Sequence, residues 1–226
     1  MTRLGFYAAR LMRDETALAR LSVPGAELFA ALSGRSVALV GNARALAHTA
    51  QGARIDAADL VVRINRAPMP SPQSHGSRTD WLALATRLSD QDKARIAPGR
   101  ILWMSHKRKR LDWRTAHGPG FYLHPLDAYH DLRDRLAAPP TTGAMMIDLL
   151  LRSHLERLAL HGFDFFASQS LSGSRSAAQV PHDFQAEAAW VRDLAQHDDR
   201  LIIYPTTDTL TPPTPSPPLP SGPCLR

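Results

Sequence analysis

Three polar junctions in this 226-residue chain have the residue types that hold a phosphorylated ligand. Gly41-Asn42 closes an apolar run at 36–40, Asn65 closes another at 60–64, and Thr141-Thr142-Gly143 opens a longer one that reaches Leu151. Phosphate oxygens are well satisfied by backbone amides and neutral donors at strand–helix junctions, where no anion competes for them. Gly41 permits a tight turn, and Asn42 and Asn65 each offer a side-chain amide. The hydroxyls of Thr141 and Thr142 suit a helix start, where the first N–H groups point outward unpaired. Each junction also has a plainer account as a turn glycine, a turn asparagine or a helix cap. For Thr141 taken alone, the cap is the simpler account.

His182 is the candidate general base. It stands between Pro181 and a helical run, and a neutral imidazole can take a proton from a hydroxyl near neutral pH. Glu187 follows five positions later, in the first turns of that helix, where it can support local geometry. The chain has ten histidines, so a capping or surface role is the competing account. Asp183 and Asp164 are alternative carboxylate bases. No His or carboxylate pair has metal-ligand spacing. Gly41 stands alone until Gly52, which is not the three-glycine dinucleotide fingerprint, and no Walker A sequence is present. Both facts disfavour a dehydrogenase or an ATPase.

The elements that must position these residues are short. Strands are expected at 36–40, 60–64, 81–85, 101–104, 121–123, 158–160 and 201–204. Helices are expected at 43–50 and 126–136, from Thr141 to Leu151, and from Pro181 to about Gln196. Segments 69–77 and 171–179 read as loops. Strands alternating with helices predict an α/β fold: a single Rossmann-like domain with a mainly parallel sheet flanked by helices. In such sheets the ligand crevice lies beyond the carboxyl ends of the strands, where Asn42, Asn65 and Gly162 fall.

Composition sets outer bounds. A formal charge of +6 favours anionic partners. The lone cysteine, Cys224, excludes an internal disulfide scaffold. No run of apolar residues is long enough to cross a membrane, and charges interrupt the N-terminus too often for a signal peptide. Residues 3–21 read as one amphipathic helix, with a second at 26–32. The plain account is a helical segment, 1–33, packed on the core; the sharper one is a basic helix on anionic lipid. The α/β domain then spans 34–204. Residues 205–226 are crowded with proline and read as a disordered or polyproline-like tail. The run His106-Lys107-Arg108-Lys109-Arg110 is the densest charge and reads as a solvated loop.

Several segments together resemble one family. Val37-Ala38-Leu39-Val40-Gly41-Asn42, then Gly52-Ala53-Arg54-Ile55-Asp56 and Arg63-Ile64-Asn65-Arg66-Ala67-Pro68, are similar to the large sialyl motif of glycosyltransferase family 29. Gly76-Ser77-Arg78-Thr79 resembles its continuation. Pro140-Thr141-Thr142-Gly143 and Leu160-His161-Gly162-Phe163-Asp164 resemble the small sialyl motif, and His182 to Glu187 matches the very short H-x-x-x-x-E motif.

That resemblance implies a variant GT-A fold and an inverting, metal-independent glycosyltransferase. It needs no cofactor beyond its donor substrate, a CMP-activated sugar of the sialic-acid or Kdo type, and it delivers the sugar to a glycan or glycolipid hydroxyl. Asn42 and Asn65 are then the nucleotide ligands. Thr141, Thr142 and Gly143 contact donor phosphate or carboxylate, Gly162 lies beside the nucleotide, and His182 is the catalytic base. Animal members join the large and small motifs by a disulfide. Val37 and Leu155 stand at those positions here, which agrees with a minimal, bacterial-type, cytoplasmic enzyme, with peripheral contact at the inner membrane as a further expectation. Residues 165–181 hold no histidine, although relatives place one between the small and very short motifs. Ser172, Ser174 or Arg175 are the candidate substitutes. Two rival expectations stand beside this one: a catalytically weakened nucleotide- or glycan-binding protein of the same fold, and a nucleic-acid-binding module resting on the basic run.

Overall fold

The computed structural model of the chain describes residues 1–165 and 182–206. Its centre is a seven-stranded sheet: β1 (Ser36–Val40), β2 (Leu60–Ile64), β3 (Trp81–Leu84), β4 (Arg100–Trp103), β5 (Tyr122–Leu123), β6 (Arg157–His161) and β7 (Leu201–Ile203). Every pairing is parallel, and the strand order is β5-β4-β3-β2-β1-β6-β7. Parallel sheets need both faces covered, which explains why β1 and β2 are apolar runs rather than alternating ones. Side chains still separate by face. Val37 and Leu39 join Leu60, Val62, Trp81 and Ala83 in one core, which also takes in the helix Thr142–Leu151. Leu82, Leu84, Trp103 and Leu123 face the other way, under the N-terminal helices, with Phe6 and Leu18. Val37 and Leu155 are both buried in the first core.

The strand expectations and the structure agree to within a residue or two at each end. The helical expectations differ at three places. Residues 3–21 form two helices, Arg3–Met12 and Glu15–Ala19, rather than one. Arg13 turns left-handed at φ 57°, and the Asp14 side chain accepts from the N–H of Ala17, starting a new helix. That break lets Leu18 reach the core. Segment 43–50 is a 3-10 turn, Arg44–His48, and not an α-helix. The expected loop at 69–77 contains one helical turn, Pro72–His75, with Ser71 as its cap and proline at its first position.

The basic run is not one solvated patch. Arg108 is buried: it pairs with Glu15 and donates to the carbonyls of Ser105 at 2.7 Å and His124 at 2.7 Å. His106 stacks on Tyr129. Within the run His106, Lys109 and Arg110 are exposed, Lys107 is half-buried and Arg108 is withdrawn from solvent, which weakens the nucleic-acid reading. Among the described residues no helix is long and apolar enough to cross a membrane. The proline-rich tail beyond Thr206 and the candidates Ser172, Ser174 and Arg175 lie outside the described residues.

Candidate active site

A cavity of about 230 Å³ opens at the carboxyl ends of β1, β2 and β6. This is where the strand order reverses, since the chain runs outward from β1 to β5 and then returns to β6 on the other side. Asn42, Asn65, Thr141, Thr142, Gly143, Gly162 and His182 all line it.

The floor is two glycines. Gly41 donates to the carbonyl of His161 at 2.7 Å, and Ala43 donates to that of Gly162 at 3.2 Å, so the two strand ends are laced together. A Cβ on Gly41 would fall on the Gly162 carbonyl, and Gly162 itself has φ +68°. Only glycine allows this closeness at both positions.

The two asparagines differ in how they are held. The Asn42 amide donates to the carbonyl of Ile64 at 3.2 Å, joining the ends of β1 and β2. Asn65 is left-handed at φ 53°, a conformation Asn tolerates better than most residues. Its Oδ1 accepts from the N–H of Ala85 at 3.1 Å. The Asn65 NH₂ group has no partner among the described residues and is available to a ligand.

The third wall is the start of the helix Thr142–Leu151. The Thr141 hydroxyl caps it by accepting from the N–H of Ala144 at 3.1 Å. Among the described residues the N–H groups of Thr142 and Gly143 have no protein acceptor, at the positive end of the helix. Glu187, itself on the cavity wall, holds this turn: it accepts from both the N–H and the hydroxyl of Thr141. Burial pushes its carboxyl up to about 7, against the lowering effect of those two hydrogen bonds.

His182 precedes the helix Phe184–His197, whose cap is Asp183. Its Nδ1 lies 2.7 Å from the carbonyl of Pro139. A carbonyl only accepts, so Nδ1 carries the proton and Nε2 keeps its lone pair. Asp183 caps the following helix, accepting through Oδ1 from the N–H groups of Gln185 and Ala186. Asp164 remains on the pocket wall.

Residues 10–95 match the profile of glycosyltransferase family 29 (sialyltransferase). Over that stretch the chain is similar to family 29 sialyltransferases. A mammalian sialyltransferase in complex with Gal-β-1-3GalNAc-ortho-nitrophenol has the same fold at 20% identity, with a TM-score of 0.62 over 90% of this chain and 86% of the other. CstII in complex with a trisaccharide acceptor and CMP matches at 14% identity, with a TM-score of 0.53 over 77% of this chain and 82% of that one. CstII from Campylobacter jejuni in complex with CMP matches at 13%, with a TM-score of 0.50 over 76% and 79%. No curated protein sequence matches the chain.

Several residues of the sialyltransferase-like motifs build the walls instead of lining them. Asp56 accepts from the N–H groups of Ser77 and Arg78 and from the Ser77 hydroxyl. Burial alone would raise its carboxyl; these hydrogen bonds outweigh that and hold it low. Arg63, fully buried in β2, donates to the carbonyls of Arg78 and His75 and to the Thr79 hydroxyl. Desolvation lowers its guanidinium to about 10. His161 sits beneath Gly162, stacked on Tyr204 at 4.7 Å and bonded through Nδ1 to Gln51.

The apolar wall was not read from sequence: Ile147, Phe165, Phe184 and Val191 also line the cavity. Helical spacing offered a signal. Ile147 lies four residues after Gly143, and Phe184, Glu187 and Val191 share one helix face.

Proposed function

We propose that this chain is an inverting glycosyltransferase that moves a sialic-acid-type or Kdo-type sugar from its CMP conjugate to a hydroxyl of a glycan or glycolipid. The observation that carries the reading is His182. Its Nδ1 is tied to Pro139, so its basic Nε2 belongs to the same pocket as two asparagines and an uncapped pair of helix N–H groups. Relatives of this fold have been captured with CMP and with glycan acceptors.

In this mechanism Asn42 and Asn65 hold the nucleotide, with Gly162 leaving room for it. Nε2 of His182 accepts the proton of the acceptor hydroxyl as its oxygen bonds to the anomeric carbon. The bond from that carbon to the phosphate oxygen breaks, and CMP leaves with the electron pair from the opposite face, so the configuration inverts. The N–H groups of Thr142 and Gly143 stabilise the charge that develops on the departing phosphate, where preorganised dipoles act most strongly. The described lining contains no Lys or Arg, so these dipoles carry that task among the described residues. No divalent ion enters the proposal.

The test is a set of CMP-sugars, including CMP-sialic acid and CMP-Kdo, scored for binding and CMP release with and without glycan and lipid-linked acceptors. Acceptor-stimulated CMP release is the expected result. Failure to bind or turn over either donor overturns the reading. The absence of histidine from residues 165–181 favours a second reading, a nucleotide-binding protein with weakened chemistry. Tight CMP binding with no turnover of any donor would decide for it.

A further inference from the structure

The helix Arg3–Met12 has two apolar faces. Phe6 and Ala9 are buried, and Phe6 meets Trp113 edge-on at 5.5 Å. The opposite face carries Leu4, Ala8, Leu11 and Met12, spaced so that they share one stripe. Among the described residues, the large apolar side chains that stand in solvent are Met1, Leu4, Leu11 and Met12, at 49, 82, 84 and 71% exposure. They are concentrated on this one element, where they form a patch rather than the scattered apolar residues of an ordinary surface.

The surroundings of the stripe are cationic. Arg3 and Arg13 are exposed on the helix ends. Arg10 lies beside the stripe, over the Tyr7 ring at 4.9 Å. The turn Arg108–Arg110 packs against the same helix and exposes Lys109 and Arg110. Of the neighbouring carboxylates, Glu15 is paired with Arg108 and Asp112 with Lys93, while Asp14 caps the next helix and keeps its charge. What remains is an apolar stripe about 15 Å long, from ten residues at the helical rise, with cations in excess around it.

We propose that this face lies on an anionic membrane surface, with Leu4, Leu11 and Met12 entering the headgroup boundary and Arg3, Arg13, Lys109 and Arg110 meeting lipid phosphates. Apolar side chains on one face and free cations beside them are the two requirements of an interfacial helix. A second copy of the chain is the poorer fit, because a two-fold contact would bring these cations against each other.

The test is flotation of the full chain with vesicles of phosphatidylcholine alone and of phosphatidylcholine with phosphatidylglycerol. The protein should float with the anionic vesicles only, and less so at high salt. The double variant Leu4→Glu, Leu11→Glu should lose at least ~10-fold in vesicle binding. Its melting and its CMP binding should match the parent, because both side chains stand in solvent. No binding to anionic vesicles, or equal binding by parent and variant, overturns the proposal. So does a dimer by light scattering that the double variant dissociates while neither protein floats. Should the double variant not fold, Lys109→Glu with Arg110→Glu keeps the stripe and tests the charge; unchanged binding in that variant overturns the proposal as well.

Discussion

Glu187 accepts two hydrogen bonds from Thr141, one from the backbone N–H at 2.6 Å and one from the hydroxyl at 2.8 Å. The pair ties the starts of two helices together across 46 residues of sequence, on the wall of the pocket. It also links proton binding to stability. The carboxyl rises from 4.5 to about 7 on folding, mainly by desolvation. The native state therefore binds more protons than the unfolded chain between these values, so stability is full below about 4.5 and falls as pH rises through about 7. Three buried histidines, His75, His124 and His161, are each lowered to about 4 by burial and pull the opposite way at acid pH. The readout is therefore a comparison. Glu187→Gln keeps an acceptor for the Thr141 N–H and a donor for its hydroxyl, so it mimics the protonated acid. It should match the parent at acid pH and exceed it above pH 7, by on the order of 3 kcal/mol at most. Parallel melting curves across the range would show that Glu187 does not titrate there.

His182→Asn should separate chemistry from binding. The Asn amide can donate to the Pro139 carbonyl in place of Nδ1, but it supplies no base. We expect a loss of about 10²–10⁴-fold in kcat, the usual range for a general base, with CMP affinity unchanged. Initial rates and calorimetric CMP titration measure the two quantities. Parent-like turnover would remove His182 from the mechanism.

Asn65 can be dissected by two variants, because its backbone and its amide do different work. Asn65→Gly accepts the left-handed φ without strain and deletes the amide. CMP binding should weaken about 10-fold, the equivalent of one good hydrogen bond, with melting little changed. Asn65→Ala should show the same binding loss and an added destabilisation of roughly 1 kcal/mol from the backbone. If Asn65→Gly binds CMP as tightly as the parent, the amide does not touch the nucleotide.

Arg63 should prove structural, despite its place in the motif that supplies Asn65. It serves two carbonyls and one hydroxyl from within β2 and is 1% exposed. Arg63→Met should cost about 1–3 kcal/mol for each acceptor left unsatisfied, read by urea denaturation, because the carbonyls of His75 and Arg78 lose their donor. Arg63→Lys should recover little, since an ammonium cannot fork to acceptors on two sides. Full stability in either variant would place the support of the 75–79 turn elsewhere.

The legible part of this protein was the part written in contiguous residues. Strands such as Ser36–Val40 and Leu60–Ile64 announce themselves because a parallel strand is buried on both faces and is apolar at most of its positions, Arg63 being the exception in β2. The seven candidate positions were legible because turn glycines, turn asparagines and a helix cap are local features, and motif resemblance tied them together. Arg13 was not legible, since the leucine periodicity runs on past it and only the capping by Asp14 stops the helix. Arg108 looked solvated because nothing near it in sequence shows that Glu15, 93 residues away, and two strand-end carbonyls will surround it. The clamp between Glu187 and Thr141 was half visible: the position of Glu187 was suggestive, but its partner depends on how the last helix leans.

The pairing of β1 with β6 has a consequence for how the protein comes into being. Val37 lies opposite Leu158, so neighbours in the sheet are 121 residues apart along the chain. During synthesis the first five strands can assemble outward from β1 while one edge of β1 stays bare. The pocket floor closes only when β6 arrives, and the wall residues His182 and Glu187 come later still. Contacts of such long separation form slowly. A nascent or truncated chain ending before His182 would therefore present a nearly complete sheet with an open-sided pocket, whose last wall forms only as the final helix docks.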